Sequence, residues 1–513
     1  MTLIERIKNS IYIRAAACIR YIRCPQKYRS LGFMLDYLQK EGETFTVTPA
    51  LSSRLRKRIV SHICTIDSHY SSFYFPKGCV CLVTDEDNAD KAIAKGALVL
   101  ISSVPFREYP CIVSDCPLGI YSSLIRYYRF IHNKTSFTAV TGSIGKTTVK
   151  NMIGEVYRQA FVTSYTQANA NTRVHIGFAI QHIPYKAQMV VQEVHEGNPG
   201  EAKFVARMMC PDVLVITPVD KSHLSRFDSE DGIVNEIRSM VMTMPATGTV
   251  IAGLEEIDKM GLLHSGRKCI SISSDNPDAD YSADSIQVNS DGLSFDIVDK
   301  KAAMRYHIQL NHLYGLHNAS CALYAFAAGM SARMSPSDII VGLAGYRTSG
   351  VRQNVVMTND GVLLYADCYN AIARSMKSAI ETASCLSVQG RRIAVLGDIE
   401  EAGKSSSSQH NEVIGYVNHS NFQILFTIGE KIKKALIETP TRESLSVSHF
   451  DSLTNLTLAI RETVNPGDLV LFKASHASDL SECIQRIWPA EYSQMNAPLT
   501  RDNVKWEREL LFY

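Results

Sequence analysis

The chain has 513 residues, 45% of them hydrophobic, enough to bury several cores, and a length that predicts about three domains. Its formal net charge of +2 offers no field for a polyanion, so no nucleic-acid partner is expected. No apolar run approaches the ~20 residues that span a bilayer, the N-terminus lacks a signal peptide's apolar core, and thirteen scattered cysteines fit reduced thiols, all of which predicts a cytoplasmic protein.

In chain order, residues 1–30 mix Arg and Lys with Ile and Tyr. That pattern suits a basic amphipathic helix on an anionic membrane surface, or, more simply, a helix packed on its own domain with basic side chains reaching water. CVCLVT (79–84) and ALVLI (97–101) are short apolar runs flanking a helical stretch that ends at Gly96, a strand-helix-strand unit. The CxC of Cys79 and Cys81 is read as one face of a buried strand rather than a metal site. From 135 to about 345 the rhythm repeats: FTAVT, a helix over 147–161, then MVVQEV, DVLVIT and TVIAG. Uniformly apolar strands separated by helices predict a parallel sheet covered on both faces. LSFDIV and YHIQL alternate as an antiparallel excursion does, and the helix NASCALYAFAAGM follows. A third α/β unit begins near 346, with strands at VLLYAD, RIAVLGD, FQILFTIG and DLVLFKAS; KSSSSQ (404–409) is read as a flexible loop. The expected division is 1–134, 135–345 and 346–513: a smaller, atypical N-terminal α/β domain, a central P-loop parallel-sheet ATPase domain and a C-terminal Rossmann-like α/β domain.

Within the central unit, TAVTGSIGKTTVKNMIGEVY (138–157) runs from an apolar strand through a glycine-bearing turn into a helix with apolar residues at helical spacing. This is the context of a phosphate loop. Gly142, Ser143 and Gly145 let backbone N–H groups approach phosphates, and the helix start, with Thr148 in its first turn, adds partial positive charge. Lys146 would reach the β- and γ-phosphates and Thr147 would set its hydroxyl on Mg²⁺. Val140 stands where the standard motif has its first glycine.

VTGSIGKTT resembles the nucleotide loop of the Mur ligases, ATP-dependent enzymes that join a carboxylate to an amine in peptidoglycan assembly. Further segments, spanning roughly 79–485, follow in the same order. EVHEGNPGE (193–201) resembles the family's acidic segment and implies Glu193 as a Mg²⁺ ligand; HLSRFDSEDG (223–232) implies His223 as a second. YGLHNASCALYAFAAG (314–329) implies Asn318 near the nucleotide base, SGVRQ implies Arg352 as the arginine after the central domain, and YADCYNAIARSMKSAI (365–380) implies Asp367 near the ribose. RRIAVLGDIEEAG and GDLVLFKASHASDL point to the branch that adds D-alanyl-D-alanine to a UDP-N-acetylmuramoyl tripeptide. The resemblance implies ATP and Mg²⁺, catalysis through Lys146, Glu193 and His223, a small-molecule or nucleotide-sugar peptide acid, and an amino acid or dipeptide amine. The chemistry asks for the same inventory, because an acyl phosphate gathers charge on phosphoryl oxygens.

Departures accompany the match. Ile237 stands where many relatives carry a carbamylated lysine, which leaves another anion such as Glu236, or a different mode of holding a second metal. Ile372 and Ala373 replace an asparagine and a proline, Ala366 an aspartate, and Arg173 and Val174 a polar pair beside Asn171. Residues 1–70 do not resemble the family's UDP-sugar domain. The expected function is therefore a Mur-type ligase whose acid substrate has changed; the alternatives are the standard cell-wall reaction and a non-catalytic nucleotide-binding protein.

Overall fold

The computed structural model describes residues 30–65, 77–166, 171–184, 186–195, 199–219, 227, 229–289, 291–348 and 350–496. The basic segment expected over 1–30 lies outside them except for Ser30. No helix among the described residues is long and apolar enough to cross a membrane.

Three sheets organise the chain. The first has five short strands, with Cys111–Val113, Val99–Ser102, Val80–Leu82 and Ile63–Thr65 parallel and Thr46–Val47 antiparallel at one edge. Cys79 and Cys81 are buried there. Helix Glu86–Ala94 connects two of its strands, started by Asp85, whose carboxylate accepts the Asn88 N–H at 2.8 Å.

The central sheet has nine strands. Ser136–Thr141 lies between Met189–Glu193 and Val213–Ile216, with Thr163–Tyr165 at the edge and Thr249–Gly253 and Lys268–Ser273 beyond. All of these pairs are parallel; Tyr281–Asn289, Gly292–Asp299 and Met304–Asn311 then form the antiparallel extension. Because the chain leaves Ser136–Thr141 and later returns on both of its sides, the carboxyl ends of these strands diverge into a crevice, the usual ligand position in open α/β sheets. Helix Lys146–Arg158 buries Val149, Met152, Ile153, Val156 and Tyr157 on one face, against helices His317–Ser331 and Pro336–Gly345. The last contact is backbone-close: a Cβ on Gly342 would sit 2.6 Å from the Val156 Cα.

The third sheet has six strands in the order Asn354–Met357, Leu363–Asp367, Leu469–Lys473, Arg392–Gly397, Ile424–Ile428 and Ser446–Phe450, antiparallel only at the first pair. One expectation fails here. KSSSSQ is not a loop: Glu400–Ser405 is a 3₁₀ turn that runs into helix Ser406–Asn418. Serines suit a helix start, and Val413, Ile414 and Val417 bury the face that follows, while Gln409 donates to the Ser405 hydroxyl at 2.8 Å.

The apolar cores do not follow the sheets one to one. A single buried cluster runs from Leu31 and Leu35 through Tyr121, Ile125 and Ile176 to Leu214, Ile237 and Leu262, so the first sheet and one face of the central sheet share one core. Gln181 adds a polar lock: its amide accepts the Ile63 N–H at 2.7 Å and donates to the Ile63 carbonyl at 2.9 Å, standing in for a neighbouring strand. The third sheet keeps its own two clusters.

Candidate nucleotide and ligation site

The phosphate loop forms where strand Ser136–Thr141 ends. Gly142 has φ +122°, and a Cβ there would lie 2.4 Å from both the carbonyl and the hydroxyl oxygen of Thr217, so this turn admits only glycine. Gly145, at φ +81°, opens helix Lys146–Arg158. The Ser143 and Ile144 N–H groups both donate to the Pro218 carbonyl, at 3.0 and 3.2 Å. In this form the phosphate-facing N–H groups are therefore those of the helix's first turn, which includes Thr147 and Thr148. Lys146 folds back and donates to the Gly142 carbonyl, so it must swing outward to meet a phosphate.

Register does the next step. Glu193 pairs with Val140 on the adjacent strand, which sets its side chain beside the loop. The carboxylate is buried; Oε2 accepts the Thr147 hydroxyl at 2.8 Å and Oε1 accepts the Asn171 amide at 2.9 Å. Burial pushes its pKa up, but Lys150 and Lys146 with these two hydrogen bonds outweigh it and hold the group below the usual value. Lys150, one turn beyond Lys146, is fully buried; desolvation brings it down to about 8, against the attraction of Glu193.

The third sheet closes the other side. Arg352 donates to the Thr147 hydroxyl at 3.3 Å while its guanidinium lies 3.6 Å from the centre of the Tyr369 ring, which stacks at 6.0 Å on His476. Asp367, at the end of its strand, is buried, pairs with Lys473 at 3.0 Å and accepts the Gln353 N–H at 3.2 Å. His317 and Ser378 join the two units at 2.8 Å, and burial lowers the imidazole's pKa. Asn318 is 1% exposed, and neither of its side-chain amide atoms makes a hydrogen bond.

Thus Thr147, Glu193 and Arg352 meet at one hydroxyl, Lys146 precedes Thr147 at the same helix start with its amine turned onto the Gly142 carbonyl, Asp367 stands on the facing sheet, and Asn318 lies at the start of the helix that packs on Lys146–Arg158. His223 lies outside the described residues. Ile237 is fully buried in the core and faces no site. The Glu236 oxygens accept the Gly200 and Ala202 N–H groups at 2.9 and 2.7 Å, capping helix Glu201–Met209. Sequence reasoning passed over Lys150 and Lys473 as site residues. The signal for Lys150 was a cation on the apolar stripe of Val149 and Ile153; Lys473 follows a run of four apolar strand residues.

Two family models match the chain. The Mur ligase middle domain covers residues 140–329, and the Mur ligase, glutamate ligase domain covers residues 351–476. The chain is 29% identical over 383 residues to UDP-N-acetylmuramoyl-tripeptide-D-alanyl-D-alanine ligase of Bacillus subtilis, covering 74% of this chain and 82% of the relative. The enzyme of that name from Escherichia coli is 25% identical over 407 residues, 78% of this chain and 87% of the relative. The crystal structure of MurF ligase from Thermotoga maritima in complex with ADP superposes with a TM-score of 0.71 at 19% identity, over 84% of this chain and 98% of that one.

Proposed function

The chain belongs to the Mur ligase family, and from that premise we propose that it couples ATP cleavage to amide-bond formation between a nucleotide-sugar peptide acid, or an acid exchanged for it, and an amino acid or dipeptide amine. The observation that carries the reading is the meeting of Thr147 and Glu193 of the central unit with Arg352 of the third at one hydroxyl. The γ-phosphoryl passes from ATP to a carboxylate oxygen, breaking its bond to ADP and giving an acyl phosphate. The amine attacks the acyl carbon, forming the C–N bond of a tetrahedral intermediate, which loses a proton from nitrogen and collapses to the amide as the C–O bond breaks and phosphate leaves.

In this scheme Lys146 leaves the Gly142 carbonyl for the transferring phosphoryl group, and the N–H groups of the helix start hold the β-phosphate. Asn318 satisfies its orphaned amide on the base, Asp367 accepts from the ribose, and Arg352 brings a second cationic side chain from the facing domain. The Thr147 hydroxyl and Glu193 carboxylate are hard oxygen donors suited to Mg²⁺, with His223 the further ligand in this reading. Bound Mg²⁺ would neutralise phosphate charge and act as a Lewis acid toward the transferring group. The division at 134 and 345 follows the same scheme: the acid held by the first domain, ATP by the second, the amine and ribose by the third, in the cytoplasm where ATP is available.

The dissimilarity of residues 1–70 to the family's UDP-sugar domain favours an exchanged acid over the standard one, and the change at Ile372, in the domain that holds the amine in this scheme, favours an exchanged amine. The test is ADP release from Mg-ATP with product masses, offering UDP-N-acetylmuramoyl tripeptide plus D-alanyl-D-alanine, then other acids and amines, with hydroxylamine to trap acyl phosphate. An amide or hydroxamate with any acid upholds the ligase, and the identity of the acid decides between the two readings. The K146A variant should lose turnover by ~10²-fold or more, as expected for a principal phosphoryl contact; near-normal turnover would remove Lys146 from the site.

A further inference from the structure

Of the lysines among the described residues, two are buried: Lys150, fully, and Lys473, at 2% exposure. Lys473 pairs with the Asp367 carboxylate at 3.0 Å, while burial raises the pKa of Glu193 and the Lys150 charge lowers it. A lysine is almost never fully buried unless its charge has a purpose there, because desolvation is not repaid by packing. Position 150 lies between Val149 and the buried Met152 and Ile153, where an apolar residue would fill the same space without that cost.

The hydrogen bonds say what the cation does. Lys150 Nζ donates to the Thr166 carbonyl at 2.5 Å, and the Thr166 hydroxyl accepts the Glu193 N–H at 3.3 Å. Thr166 N–H in turn donates to the Val191 carbonyl at 3.1 Å, on the strand that carries Glu193. One residue therefore ties the phosphate-loop helix to the backbone of the acidic strand. Meanwhile Thr147 and Asn171 hold the two carboxylate oxygens from the other side.

We propose that Lys150 is a positioning residue of the ligase reaction, fixing the Glu193 strand to the phosphate-loop helix through Thr166 and balancing the Glu193 charge so that the carboxylate stays aimed at Thr147. This rests on the reading of Glu193 as a Mg²⁺ ligand. Lys150 touches neither nucleotide nor acid; it acts through Glu193. Its loss should weaken metal binding and leave metal-free nucleotide binding in place.

The experiment measures ADP binding to the full chain by calorimetry, without metal and across a Mg²⁺ titration, with thermal melting as the check on folding. Removing a residue that supports a metal ligand costs metal affinity about 10- to 100-fold, so K150M should raise the Mg²⁺ midpoint by that factor while metal-free ADP binding holds; K150R should restore the midpoint. Adding K150M to E193Q should shift the midpoint no further than E193Q alone. A folded K150M with the wild-type midpoint, or one that loses metal-free and metal-dependent binding alike, would overturn the proposal. Should K150M fail to fold, K150M/E193Q removes both buried charges together and should recover a cooperative melt; failure of the pair would count against it equally. E193Q retaining the wild-type midpoint would instead sink the Glu193 assignment, an outcome distinct from a silent K150M.

Discussion

Glu256 is buried at the start of the crevice, its Oε1 accepting the Val219 N–H at 3.2 Å. Burial raises its pKa, and that N–H only partly offsets the effect. The folded state therefore holds a proton more tightly than the unfolded chain, whose glutamates titrate near ~4.3. The stabilising contribution is complete below that pH and is lost as pH rises through the folded value. Glutamine keeps the acceptor for Val219 and carries no charge. E256Q should accordingly melt higher than wild type near pH 7, with the advantage vanishing at about pH 4; a constant difference across that range would show that folding leaves the carboxyl's pKa unchanged. At the same scale, Lys146 and Thr147 could be read from sequence because a phosphate loop is local: strand, turn and helix are contiguous. Lys150, Lys473 and the Asn171 bond to Glu193 depend on which strands become neighbours, and spacing along the chain does not report that.

Helix Glu201–Met209 begins at Gly200 in the left-handed region, with no side-chain cap of its own. Its first N–H groups are satisfied from another helix by Glu236, so the cap is tertiary. E236A leaves two N–H groups without their acceptor and should lower the unfolding free energy by about 1–3 kcal/mol in a urea titration; an unchanged midpoint would show that water replaces the carboxylate. This explains why Glu236 looked available as an anion beside Ile237: sequence shows the charge, not the helix it completes. The long apolar strands and the 3.6-residue stripe of Lys146–Arg158 were legible because each carries its own periodicity. Short edge strands such as Thr46–Val47 and Asn354–Met357 were not, since pairing rather than pattern makes them strands. KSSSSQ misled for the complementary reason, composition suggesting a loop while the residues after it bury a helical face.

At the scale of the molecule, the site is completed only where the central and third sheets meet. Arg352 crosses to Thr147 and Ser378 to His317, both polar contacts that can break and re-form, as a cleft that admits substrates and then excludes water requires. The first and central sheets, by contrast, are joined by continuous apolar packing and by Gln181. They differ as a weld differs from a clasp, and the difference dictates where the gene can be cut. Coexpressed as residues 1–345 and 346–513, the chain should yield two soluble fragments, each with a cooperative melt, that reassociate more tightly when Mg-ATP is present. Cut instead between 134 and 135, both pieces should expose the halves of one interior, bind a hydrophobic dye and aggregate. If the first domain holds the acid as proposed, grafting a new acid specificity means transplanting residues 1–345 as a unit, and the third domain should be exchangeable alone.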